Sequence, residues 1–137
     1  MNPESSYILD SFALMSYLGG EPSQERIKDL LRQASAGKVR LMLCIINFGE
    51  VLYTTERRRG FAAAQNVQAL IEDMPIKIIN ATRKLVLDAA HIKANYALSY
   101  ADAFVAALAE REKGIILTGD PEFQTVEGLV SIEWLER

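Results

Sequence analysis

The chain has 137 residues, half of them apolar and 24% charged, with a single histidine, a single cysteine and a net charge of −3. This length suits one hydrophobic core and is short for two, and the balance excludes a disordered or fibrous protein, so one domain over 1–137 is expected. A negative chain has no general attraction for polyanions, so nucleic-acid binding would need a local basic patch or bound cations.

Residues 7–9 form a short apolar run that ends at Asp10, and Ser11 is then available to cap a helix carrying Phe12, Leu14, Met15 and Leu18. Gly19 and Gly20 close that helix. A second, amphipathic helix is predicted over 23–36, with Ile27, Leu30, Leu31 and Ala34 on one face and Gly37 as its stop.

The run 41–46 reads as a buried strand. It is the longest apolar run, far below the roughly 20 residues that cross a bilayer, and the N-terminus lacks a secretory pattern. The chain therefore reads as cytoplasmic, with no membrane contact. Cys44 lies inside this run, which excludes an internal disulfide and leaves it as a small buried hydrophobe.

Asn47 opens the next helix, which ends in Arg57, Arg58, Arg59 and Gly60, with cations at the end that the helix dipole favours. A helix over 62–73, a strand over 76–79, a helix over 82–96 capped by Thr82 and a helix from Ser99 to about Gly114 follow. The last strands are predicted at 115–117 and 131–135. Alternating strands and helices, several of the strands reading as continuous apolar runs, argue for an α/β fold: three α/β/α layers around a central, mostly parallel sheet of about five strands.

Ligands of such sheets bind beyond the carboxyl ends of the strands, which directs attention to the residues that follow them. Asp10 follows the first strand and Asp120 the fourth; Asn47 follows the second, with Glu50 one turn further along its helix. Asp102 falls in the first turn of the helix from Ser99. Each has an ordinary alternative, as a cap, a capping-box partner or a solvated helix residue.

Their conjunction is harder to explain that way, because two carboxylates about 5 Å apart repel by roughly 3 kcal/mol near a protein surface. Hard divalent cations are the usual compensation, and oxygen donors without cysteine or a second histidine point to Mg²⁺ or Mn²⁺ rather than zinc. Such a centre can activate water for attack on a phosphodiester, so no protein nucleophile is needed. Ser11 and Thr118 are nearby hydroxyls suited to a phosphate or a coordinated water, or to plain capping.

The stretches YILDS at 7–11, INFGE at 46–50, KANYALSYADAFVAALA at 93–109 and ILTGDPEF at 116–123 resemble, in order and spacing, the PIN-domain ribonucleases, and among them the VapC-type toxins of type II toxin–antitoxin pairs. The resemblance implies that Asp10, Glu50, Asp102 and Asp120 are the catalytic, metal-binding acids, with Ser11, Asn47 and Thr118 as supporting polar groups. It further implies Mg²⁺-dependent endonucleolytic cleavage of RNA, a homodimer, and a small antitoxin whose tail covers the active site.

Arg57, Arg58 and Arg59 are the densest basic run, open to RNA phosphates, to an acidic antitoxin segment or simply to solvent. His91 is isolated and reads as a helix-face residue. A haloacid-dehalogenase-like phosphatase is disfavoured because Phe12 stands where a second aspartate belongs, and a receiver domain because no lysine follows Lys113. The remaining alternative is a non-catalytic PIN-like module that binds RNA or protein.

Overall fold

The computed structural model describes residues 5–136. Five strands alternate with helices along the chain: β1 Ser6–Leu9, α1 Ser11–Leu18, α2 Gln24–Ser35, β2 Arg40–Cys44, α3 Ile45–Arg59, α4 Phe61–Glu72, β3 Lys77–Ile79, α5 Arg83–Asn95, α6 Tyr100–Glu112, β4 Ile115–Thr118 and β5 Ser131–Trp134. A 3-10 helix, Pro121–Val126, separates the last two strands. All pairings are parallel, in the order β3-β2-β1-β4-β5.

Why the strands read as unbroken apolar runs is visible in how they bury their two faces. Ile8, Met42, Cys44 and Ile116 point into a core with α5 and α6, whereas Leu9, Leu41, Leu43 and Leu117 point into a second core with α1 to α4. Alternate residues therefore serve opposite layers, and both must be apolar. Burial of the Cys44 side chain in the first core raises its thiol pKa, consistent with a packing role.

Helix α6 is buried on every side from Asp102 to Ala109, with four alanines that let it lie close against β1, β2 and β4. This explains how an acid in its first turn reaches the sheet edge. Its exit is equally tight. A side-chain carbon at Gly114 would meet the Ser6 carbonyl oxygen at 3.0 Å and Ile8 Cδ1 at 3.2 Å. Gly114→Ala is expected to lower stability by about 1–3 kcal/mol, read as a fall in the urea midpoint with an unchanged slope; an unaltered midpoint would show that β1 yields freely.

Three local expectations are corrected. Asp10, not Ser11, caps α1: it is the last extended residue, and its Oδ1 accepts the Ala13 N–H at 2.8 Å. Strand β2 ends at Cys44, so Ile45 and Ile46 begin α3 and Asn47 stands third in it. Helix α6 turns out through Lys113 in the left-handed conformation, at φ 52°, one residue before the glycine. No helix among the described residues is long and apolar enough to cross a membrane.

Candidate active site

The strand order fixes the edge of the sheet at which a ligand is expected. From β1 the chain passes to β2 on one side, and from β4 to β5 on the other, so β1 and β4 flank the topological switch point. Asp10 leaves the end of β1 and Thr118 ends β4. The Thr118 hydroxyl donates to Asp10 Oδ2 across that gap, while Asp10 Oδ1 holds the Ala13 amide at 2.8 Å. Both residues are fully buried.

Asp120 follows two residues later. Its amide donates to Thr118 Oγ1 at 3.0 Å, and its Oδ1 caps the 3-10 helix by accepting the Glu122 N–H at 2.9 Å, with Pro121 at the first helical position. From the other side, Ser99 caps α6 by accepting the Asp102 N–H at 3.1 Å, which leaves Asp102 buried in the first turn. Asn47 ties α3 to that turn through a 3.2 Å bond from Nδ2 to the Ala101 carbonyl.

Electrostatics shows that these acids share one neighbourhood. Burial pushes the Asp10 carboxyl up to about 7; the Thr118 and Ala13 hydrogen bonds oppose the rise, and the charges of Asp120 and Glu50 add to it. Asp102 is pushed up to about 8, first by burial, then by a hydrogen bond with Glu122, then by the charges of Asp10, Asp120 and Glu122. None of the described ion pairs includes Asp10, Glu50, Asp102 or Asp120.

Whether a divalent cation fits can be judged from the donors themselves. All are hard oxygens, and two buried acceptors, Asn47 Oδ1 and Glu50 Oε1, have no hydrogen-bond partner, a state that is costly unless a cation or water satisfies them. Against this, among the described residues no three Asp, Glu, His or Cys side chains are placed so as to hold a metal ion together. What links the acids is charge: Asp120 and Glu50 act on Asp10, and Asp10 and Asp120 act on Asp102. Their donor chemistry and uncompensated burial fit Mg²⁺ or Mn²⁺.

Ser11 is the first residue of α1, directly beside Asp10. The arginines lie elsewhere: Arg57, Arg58 and Arg59 are exposed at the far end of α3, about 12 Å along the helix from Glu50. Arg57 stacks on the Tyr53 ring at 4.9 Å. Arg58 and Arg59 edge a groove of 410 Å³ lined also by Phe12, Met15, Leu18 and Val67.

One residue escaped the sequence reading. Glu122 accepts the Ser99 N–H and contacts Asp102, and the Ser99 bond, then Asp102, and more weakly Lys93, hold its carboxyl below the usual range. The Asp-Pro-Glu order was the available signal, because a capped turn starting at Pro121 points residue 122 back toward α6.

Comparison with known families matches residues 7–129 to the PIN domain. Comparison with curated proteins finds no match. Among solved structures, the chain is similar to VapBC2 from Rickettsia felis bound to a DNA fragment from its promoter, with a TM-score of 0.74, 14% identity, and coverage of 96% of this chain and 99% of the other. DNA-bound VapBC from Salmonella typhimurium gives 0.73 at 17% identity, covering 94% and 97%. VapC20 of Mycobacterium tuberculosis, described as a sarcin-ricin loop cleaving toxin, gives 0.63 at 19% identity, covering 82% and 87%.

Proposed function

The chain belongs to the PIN-domain family, and from that premise we propose that it is a metal-dependent endoribonuclease, the toxin of a toxin–antitoxin pair. The observation that carries the reading is that Asp10 feels the charges of Asp120 and Glu50, and Asp102 those of Asp10 and Asp120, beside the topological switch point, with no cationic side chain paired to any of the four among the described residues. Its support from known proteins is the likeness to a toxin–antitoxin complex from Klebsiella pneumoniae and to a toxin described as cleaving the sarcin-ricin loop.

In this reading the four acids hold Mg²⁺ or Mn²⁺. A bound ion of this kind lends positive charge to phosphoryl oxygens and acidifies a coordinated water. The protein's own task is orientation. Ala13 N–H and the Thr118 hydroxyl fix both oxygens of Asp10, and Glu122 N–H fixes one oxygen of Asp120. Asp102 and Asp10 are carboxyls that shed protons readily when positive charge arrives, so cation binding is accompanied by proton release.

The deciding experiment is cleavage of a panel of structured RNAs by the purified chain with Mg²⁺ or Mn²⁺. Cleavage that stops on adding a chelator supports the nuclease; a folded chain that binds RNA yet cuts none under either metal leaves the non-catalytic module. The proposal includes a homodimer, which a monomer mass in sedimentation at working concentration would remove. It also includes a small antitoxin that silences cleavage, with the groove edged by Arg58 and Arg59 as its seat; charge reversal at both arginines without loss of inhibition contradicts that seat.

A further inference from the structure

Asp102 occupies the third helical position of α6, three residues after its cap. In a capping box the cap hydroxyl accepts the N–H of that third residue, and the third residue's acid reaches back to accept the N–H of the cap. Only the first half is made within this helix: Ser99 Oγ accepts the Asp102 N–H at 3.1 Å. The returning bond comes from elsewhere in the chain, because the Ser99 N–H donates to Glu122 Oε1.

We infer that Glu122 is a positioning residue: by taking the Ser99 N–H it occupies the place that Asp102 would otherwise fill, and so keeps the Asp102 carboxylate on the acid cluster. The same residue is anchored to the cluster's other side, since its own amide donates to Asp120 Oδ1 at 2.9 Å. Glu122 thus joins the turn carrying Asp120 to the helix carrying Asp102. Glu122 and Ser99 are both exposed, so their bond contributes little to folding.

This inference rests on the proposed metal site. Its test compares the parent chain with Glu122→Ala and Glu122→Gln by Mn²⁺ binding in electron paramagnetic resonance, by thermal unfolding and by RNA cleavage. Glutamine keeps an acceptor oxygen for the Ser99 N–H and alanine does not.

Glu122→Ala is expected to weaken Mn²⁺ binding about 10-fold at an almost unchanged Tm, with Glu122→Gln close to the parent. Equal losses in both variants would assign Glu122 a ligand's role through its charge and overturn the inference, as would parental affinity in the alanine variant. Failure of the parent to bind Mn²⁺ or cleave RNA counts against the proposed function instead. The crystal structure of Glu122→Ala then decides the positioning: Asp102 turned back onto the Ser99 N–H supports it, and Asp102 unmoved overturns it.

Discussion

Replacing Asp10 by asparagine is expected to cut RNA cleavage on the order of 10³-fold in a chain that still folds. The carboxylate sits at the one point where three constraints meet: the end of β1, the cap of α1 and the hydroxyl of Thr118. Asparagine preserves the shape and can still accept the Ala13 N–H through its amide oxygen, so cap and packing survive. It removes the negative charge that a divalent cation needs. Loss of several kcal/mol of charge stabilisation at the phosphoryl oxygens, at about 1.4 kcal/mol per factor of ten, gives that magnitude. Thr118→Val, which leaves the charge but frees its orientation, is expected to fall less, about 10–100-fold. Measured rates under saturating Mg²⁺ decide the matter, and an asparagine variant with parental activity would falsify the role of Asp10.

The legibility of this site in the sequence follows from what kind of interaction sets each part. Asp10 and Asp120 were visible because parallel strands buried on both faces leave continuous apolar runs, and the polar residue that ends each run marks the sheet edge. The end of β2 was not visible in that way. Ile45 and Ile46 extend the apolar run although they are already helical, and only the backbone turn after Cys44 separates strand from helix. Two cap-forming residues in succession, Asp10 and Ser11, compete for one position, and the strand's length decides between them. Trp134, in the last strand, is 40% exposed, with its indole N–H donating to Glu127 Oε2 at 3.1 Å, a pairing that the strand pattern does not encode. Glu122 was hidden for a different reason: the Asp-Pro-Glu turn indicates its direction, but its partner, Ser99, lies 23 residues away and is not named by that turn.

The same buried acids predict a stability that runs opposite to ordinary acid denaturation. The Asp10 carboxyl rises from its usual 3.8 to about 7 and that of Asp102 to about 8, in both cases through burial first. Because both values exceed those of the unfolded chain, the native state holds more protons across the intervening range. Their contribution to stability is therefore complete below about pH 4 and lost as the pH climbs through 7 and 8. For Asp10 alone the difference converts to roughly 4 kcal/mol, a large part of the stability of a chain of this size. The lowered carboxyl of Glu122 acts in the reverse sense, adding stability that disappears as the pH falls, but its exposure keeps that effect small. Chelator-treated protein is thus expected to lose stability in urea titrations from about pH 5 to about pH 9, and Asp10→Asn to flatten the decline and be the more stable protein at the alkaline end. Mg²⁺ should restore the parent there, since a ligand that binds only the folded state stabilises it, and should do much less for the asparagine variant. Parallel stability curves for the two proteins across this range would mean that Asp10 ionises without cost, and the argument for a cation at the switch point would lose its electrostatic basis.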